Sequence, residues 1–432
     1  MQRLQAWVTG RPLLRQVLGN AGWLATDRIL RLGLGVLISA WTARHFGPSL
    51  FGVLNFSLAI VVIFGSVAAL GLETVVVRDL VRMPGRRAEI LASALALRVL
   101  GGIVAIVACM ATIGLLRPDE GATAQVVGVL ALGLLPQVMD VVDHRYQAAM
   151  KSRPVILLRS GTFLVFAVVR CLVLLNQGTL LDLALASTAE VLCAAILLGY
   201  LAYRDGNVLR PTAATASECA RLLRQSWPLA VSAVSVAIYM RIDQLMLGEL
   251  ADDRAVGVFS AAVRISEAWF LVPMSLMASV APVLAANYVR SASGYRDLLA
   301  RFGRSIVWLA VGVALLLSLL APRLIQLIYG SEYGESAQVL VIHAWAGVFF
   351  CLGILASDWL LNAGLARYSM YQAMIGAGVN VLLNWWLIPA YGAVGAAIAT
   401  LAGYIVSTFL LHSVARATRP IFFLQLRMLR WS

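Results

Sequence analysis

Seven arginines stand inside or at the edges of strongly apolar stretches of this sequence: Arg28, Arg31, Arg98, Arg159, Arg170, Arg241 and Arg264. Arg28 and Arg31 open one apolar run together with Asp27. Arg241 and Asp243 lie in Tyr239-Met240-Arg241-Ile242-Asp243-Gln244, and Arg264 and Glu267 in Arg264-Ile265-Ser266-Glu267. Asp27 with Arg31, and Arg264 with Glu267, have the spacing of neighbours on one helix face. A guanidinium stays charged at any physiological pH and its fork matches phosphate oxygens. Arg28, Arg31 and Arg264 in an apolar setting therefore suit an anionic, phosphate-bearing group. A site for organic cations would more naturally be lined by unpaired carboxylates and aromatic rings. Asp27, Asp243 and Glu267 all have arginine neighbours, and with burial they can instead carry protons. The competing reading is structural: charges inside apolar runs pair with each other or snorkel to the interface. It has more weight for Arg98, Arg159, Arg170 and the Asp140, Asp143, His144, Arg145 group.

The elements that carry these charges follow from composition. Of 432 residues, 61% are hydrophobic and 13% charged, with a mean hydropathy of +0.86. Soluble domains hold about 45–50% apolar and about 25% charged residues, and a water-soluble body of this size could not cover so much apolar area. Apolar runs occur at approximately 22–41, 51–72, 90–116, 122–142, 155–175, 183–203, 225–247, 256–281, 305–321, 336–360, 368–388 and 391–414. Each is long enough, or nearly so, for a spanning helix of about 20 residues. The expected fold class is an all-α polytopic membrane protein of about twelve transmembrane helices in two six-helix bundles. The basic, semi-apolar residues 1–20 read as an interfacial helix leading into the first span.

The net charge of +13 would suggest nucleic acid on a soluble protein. Here it tracks the connections between spans instead. Taking the starting segment and every second loop gives 23 basic residues, among them Arg78, Arg82, Arg86, Arg87, Arg145 and Lys151, the lone lysine. The other connections hold four, Arg44, Arg117, Arg254 and Arg323, and most of the loop carboxylates. That asymmetry predicts both termini in the cytoplasm. The longest mid-chain polar stretch, Arg204 to Ser217, divides the chain into a lobe at 1–203, a linker at 204–224 and a second lobe at 225–432 with a basic tail. Phe51-Gly52-Val53 is echoed 205 residues later by Val256-Gly257-Val258, and Trp23 204 residues later by Trp227, as in a parallel repeat about the membrane normal. Pro273, inside the eighth span, is placed to bend it. Asn380 and Asn384 stand four apart in the eleventh. Ile375-Gly376-Ala377-Gly378 and Gly392-Ala393-Val394-Gly395 permit close helix packing, and Ile388-Pro389-Ala390-Tyr391-Gly392 reads as a tight outer turn.

Five cysteines and four histidines show no ligand spacing, and no glycine-rich run ends in Gly-Lys-Ser/Thr. Neither metal nor nucleotide chemistry is expected.

The sequence resembles the polysaccharide-unit transporters, of O-antigen or capsule type, of the multidrug/oligosaccharidyl-lipid/polysaccharide exporter superfamily. The resemblance rests on Arg241 to Gly248, Val256 to Glu267, Ile328-Tyr329-Gly330-Ser331-Glu332-Tyr333 followed by Ala337, Asn380 to Asn384, Ile388 to Gly392 and Gly395 to Thr400. In the first half it rests on Phe46-Gly47-Pro48, Phe51-Gly52 and Gly71-Leu72. It covers nearly all of the chain. It implies two six-helix bundles around a central cavity and movement of polyprenyl-diphosphate-linked oligosaccharides from the cytoplasmic to the periplasmic leaflet of the bacterial inner membrane. Peptidoglycan-precursor flippases of the same superfamily usually have fourteen spans, with cavity arginines in spans one and eight; Arg28 and Arg264 occupy comparable places.

The functional expectation is a flippase working by alternating access, without covalent chemistry or cofactor, driven by a proton or sodium gradient, the membrane potential or removal of product. Arg28, Arg31 and Arg264 would hold the diphosphate, while Asp27, Arg241, Asp243 and Glu267 would line the cavity or couple an ion. The expected partners are the lipid-linked oligosaccharide, membrane lipids and a glycan polymerase or glycosyltransferases, with no nucleic acid. Two alternatives remain: an ion-coupled multidrug antiporter, and a membrane glycan-processing enzyme. The second would need large outer loops or a histidine centre, and His45, His144, His343 and His412 share no face.

Overall fold

The computed structural model of the chain describes residues 12–206 and 211–430, with side chains from residue 31 onward except at 32, 211, 292 and 366. Among the described residues the regular structure is helical and there is no strand. In chain order the helices are α1 (Pro12–Ala69), α2 (Leu72–Arg82), α3 (Arg87–Leu116), α4 (Gly121–Leu132), α5 (Asp140–Ala148), α6 (Arg153–Leu175), α7 (Leu180–Arg204) and α8 (Ala216–Leu250). They continue with α9 (Asp253–Ala268), α10 (Leu271–Arg290), α11 (Ala292–Ile328), α12 (Ser336–Asn362), α13 (Ala366–Ile405), α14 (Leu411–Val414) and α15 (Arg419–Leu429). Residues 1–11 of the expected interfacial segment lie outside the described residues; from Pro12 the helix runs on into the first span.

Ten helical stretches among the described residues are long and apolar enough to cross a membrane. Two of them are broken at a glycine, α1 at Gly47 (φ 72°, ψ 175°) and α13 at Gly392 (φ 52°, ψ −131°). Both glycines occupy the left-handed region that costs glycine nothing, and each has a proline close by, Pro48 or Pro389. Beyond Gly392 the chain doubles back, so that a Cβ on Gly395 would stand 2.4 Å from the Leu387 carbonyl oxygen. This is the outer turn expected at Ile388–Gly392. With α1 and α13 each counted as two passes, the hydropathy and the helices agree on twelve. Large apolar side chains such as Leu115 (83% exposed) and Leu319 (78%) face outward, an arrangement that lipid accepts and water does not.

The chain forms two compact units. One comprises residues 1–38 and 60–234, the other 39–59 and 235–432. In the first, α2 packs Leu72, Val75, Val76 and Leu80 onto Ile90, Leu91, Ala94 and Leu97 of α3, with Val141 and Leu222 closing the cluster. In the second, Leu352, Leu355, Ala356 and Leu360 of α12 pack on Leu299, Val307 and Ala310 of α11, and α15 adds Ile421, Leu424 and Met428. The basic tail read from the sequence is thus a helix seated on this unit.

Among the described residues two spans are discontinuous. The fourth stops at Leu132 and resumes at Asp140, with Gly133 and Pro136 between. Carbonyls in and beside the gap find donors: Thr188 Oγ1 donates to Val129 O at 2.7 Å and Arg98 Nη2 to Gln137 O at 3.3 Å. In a bilayer such re-pairing is what makes a break tolerable. The eighth breaks between α9 and α10 at Trp269–Phe270. Pro273 explains the site: its ring has no N–H for the Trp269 carbonyl and clashes with it, and Val272 N takes that carbonyl instead at 2.9 Å.

Candidate functional site

The second unit gathers Arg241, Asp243, Arg264 and Glu267. Arg241 and Asp243 come from α8; Arg264 and Glu267 lie in the last two turns of α9, just before the Pro273 break. Asp243 is buried. Its Oδ1 accepts from Asn380 Nδ2 at 3.0 Å and from Asn384 Nδ2, and its Oδ2 accepts from Thr400 Oγ1 at 2.7 Å. Asn384 Nδ2 also donates to Asn380 Oδ1 at 3.1 Å. Asn380 and Asn384 share a face of α13 because they are one turn apart, and Thr400 returns to the same point after the Gly392 turn. A buried carboxylate is costly unless its oxygens are hydrogen-bonded, and these three donors meet that need. The Asn384 amide oxygen is buried and accepts no hydrogen bond among the described residues. As placed, both amides turn an N–H toward the carboxylate and the hydroxyl donates to it, so the oxygens that could face a hard cation are those of Asp243 and Asn384 Oδ1. Among the described residues no three His, Cys, Asp or Glu side chains converge, so a cation here would meet one negative charge and a neutral amide oxygen.

Arg241, Arg264 and Glu267 are half-buried. Glu267 lies within electrostatic range of both arginines and of Asp243. The spacing of Arg264 and Glu267 suggested a direct pair; among the described residues neither forms an ion pair. Among the described residues Arg241 and Asp243 do not pair either; two apart on one helix, they do not face each other. A carboxylate at the C-terminal end of a helix opposes the macrodipole, and Glu267 relies on the two nearby arginines to offset that. Beside the cluster, Tyr239 meets Tyr404 edge to face at 4.7 Å and Phe270 stacks on Phe350 at 4.0 Å. Gly376 and Gly403 let α13 approach the Tyr239 ring.

The first unit holds a different arrangement. Arg31 lines a cleft of about 240 Å³ with Gln137, Asp140, Arg159, Thr162 and Glu190, and its guanidinium lies 5.2 Å from the centre of the Phe163 ring. Here the intramembrane arginines pair. Arg159 contacts Asp140 at 2.7 Å and Asp143 at 3.4 Å, Arg98 reaches Asp140 at 3.6 Å, and Arg170 meets Glu190 at 2.5 Å. The structural reading of Arg98, Arg159 and Arg170 is the one the geometry follows. The side chains of Asp27 and Arg28 lie outside the described residues.

Four contributors were missed in the sequence. Thr400 sits in a small-residue run that reads as packing. Glu190 is one acid in a long apolar run with no cation within a helical turn. Asp79 and Glu218, both buried, share Arg221 at 2.7 and 2.5 Å and tie the start of α8 to α2. Only a list of every carboxylate within an apolar run would have drawn attention to Glu190.

The fold and these clusters define the class as a polytopic membrane protein with charged groups built into its spans, two of them discontinuous. The profile of the polysaccharide biosynthesis protein family matches residues 17–288, and that of the MatE family matches residues 228–386. The chain belongs to the polysaccharide biosynthesis protein family. It is 28% identical over 176 residues to the probable flippase AglR of Haloferax volcanii, which covers 40% of this chain and 37% of that protein. It is also 28% identical over 94 residues to the uncharacterized membrane protein MJ1068 of Methanocaldococcus jannaschii, which covers 22% of this chain and 18% of that protein. The chain thus spans well under half the length of these relatives. Among solved structures, the lipid II flippase MurJ in an inward closed conformation aligns with a TM-score of 0.73 at 15% identity, over 95% of this chain and 91% of that one. An inward-facing multidrug resistance MATE family transporter aligns with a TM-score of 0.68 at 14% identity, over 94% of this chain and 98% of that one. At such identities the likeness is one of fold.

Proposed function

We propose that the protein is a flippase that moves polyprenyl-diphosphate-linked oligosaccharide units from the cytoplasmic to the periplasmic leaflet by alternating access, for cell-surface polysaccharides of O-antigen or capsule type. The observation that carries this reading is Arg264: a half-buried guanidinium within a spanning helix, one turn before a break, with no ion pair among the described residues. A permanent cation kept at that cost is suited to an anion that arrives and leaves. Family membership and the flippase name of the Haloferax relative support the same reading.

In this reading Arg264, with Arg28 and Arg31, holds the diphosphate. The sugars follow through a polar path while the prenyl tail stays in lipid. Asp243, in its cage of Asn380, Asn384 and Thr400, binds the coupling ion, a proton or sodium; Arg241, Glu267 and Asp27 set the charge around the path. Translocation breaks no covalent bond. The protein sits in the bacterial inner membrane with both termini in the cytoplasm, and supplies its product to a glycan polymerase or glycosyltransferase on the far side. The proposed division into lobes is at 1–203 and 225–432, with 204–224 as linker.

The test is translocation in proteoliposomes carrying a fluorescent prenyl-diphosphate oligosaccharide, read by exposure of the headgroup to a membrane-impermeant quencher. Wild type is expected to expose it, and a folded Arg264→Ala variant to slow that at least tenfold. Ion-coupled efflux of cationic dyes without any headgroup movement would replace this reading with the multidrug antiporter. That second reading is favoured by the MatE match over residues 228–386 and by the buried carboxylate of Asp243.

A further inference from the structure

We infer that the outer face of α15 and the start of α11 form a docking site for the headgroups of anionic phospholipids in the leaflet on the side of the basic loops. The inner face of α15 is fixed. Ile421, Leu424 and Met428 are buried in the core of the second unit. Gln425 is fully buried; its Nε2 donates to Thr408 O at 2.8 Å and to Leu352 O at 3.2 Å, and its Oε1 meets His412 Nδ1 at 3.1 Å. The helix is therefore held in one rotation, and what it presents outward is set by the fold.

That outward face is basic and partly apolar. Arg419 and Arg427 are exposed on it, with Phe423, 64% exposed, between them. Phe423 and Arg427, with Ser293, Arg296, Asp297 and Pro420, border a cleft of about 330 Å³. The nearby carboxylate is Asp297, which meets Arg427 at 3.0 Å. After Asp358 the sequence contains no acidic residue, while Arg367, Arg416, Arg419, Arg427 and Arg430 follow. This stretch of the chain therefore carries an excess of positive charge, which suits phosphates.

Position selects lipid as the source of those phosphates. The apolar run of the ninth span begins near residue 305, so residues 293–303 of α11 lie just outside the hydrocarbon, at headgroup depth. α15 packs along this same segment, where Tyr295, Leu299 and Ala300 join its buried residues in one cluster. A helix with arginines flanking an exposed phenylalanine at that depth has the amphipathic pattern of an interfacial element. Each arginine near an anionic leaflet strengthens attachment about fivefold.

The test uses the full-length protein reconstituted in vesicles of equal phosphatidylglycerol and phosphatidylcholine. After mild detergent extraction, the copies of each lipid retained per protein are counted by native mass spectrometry. Wild type is expected to keep phosphatidylglycerol preferentially. The R296Q/R427Q variant should lose that preference, by about fivefold per arginine removed. R254Q removes an exposed arginine that pairs with Glu335 elsewhere in the unit and should keep it. The Asp297→Asn variant retains both arginines, removes the competing carboxylate and should raise the preference. An unchanged preference in R296Q/R427Q, an equal loss in R254Q, or a fall in Asp297→Asn would each overturn the site.

Discussion

Gly52 and Gly257, 205 residues apart in the chain, pack backbone against backbone. A Cβ on Gly52 would stand 1.7 Å from the Asp253 carbonyl oxygen and 3.0 Å from Gly257 N. A Cβ on Gly257 would stand 2.0 Å from the Pro48 carbonyl oxygen and 3.2 Å from Gly52 N. The two residues that match in the faint internal repeat are thus each other's neighbours, in a crossing that only small residues allow.

Because the atoms in the way are backbone, an alanine at either position must push two helices apart. Gly52→Ala and Gly257→Ala are each expected to destabilise the folded protein by about 1–3 kcal/mol or more. Thermal unfolding in detergent measures this. The double variant should cost less than the two singles together, since one separation relieves both clashes; strict additivity would contradict a shared contact.

Thr400→Val keeps the shape of the side chain but leaves Asp243 Oδ2 without its donor. A hydrogen bond to a buried charged group contributes about 1.5–3 kcal/mol, so a loss of that order is expected in detergent stability. If Asp243 holds the coupling ion, sodium or a pH change should shift the wild-type melting temperature more than that of Asp243→Asn. Equal shifts in both proteins would remove Asp243 from coupling.

Arg170 and Arg264 should respond differently to truncation. Arg170→Ala leaves Glu190 unpaired within a span, and breaking such a pair costs on the order of 3 kcal/mol. Arg264→Ala breaks no ion pair among the described residues, so it should leave the melting temperature close to wild type while slowing translocation. Should the two variants lose stability alike, Arg264 is a structural residue.

Pro273→Ala supplies the N–H of a regular helical bond to the Trp269 carbonyl, which Val272 N now serves, and so favours a continuous eighth span. The variant is expected to fold and to move substrate more slowly, since Arg264 and Glu267 would be re-aimed relative to α10. Translocation at the wild-type rate would show that the break has no part in transport.

Much of the architecture is a local property of this sequence. A spanning helix is recognised by a sum over about 20 consecutive residues, which is why the runs around 90–116 or 336–360 could be read without a structure. The turn at Ile388–Gly392 was equally legible, because proline and glycine act on their own backbone, and Pro273 located the break in the eighth span for the same reason. What tertiary structure alone decided is which side chains meet. Asp243 could be suspected from its own apolar surroundings, yet its donors lie 137 to 157 residues away, and which face of α13 meets α8 depends on how the helices rotate and pack. The same holds for Glu190 with Arg170, for the absence of a direct pair between Arg264 and Glu267 among the described residues, and for a basic tail that folds back as α15. Hydropathy places a helix in the membrane; it carries no information on rotation about the helix axis, and rotation determines whether a charge meets a partner, a lipid or a path.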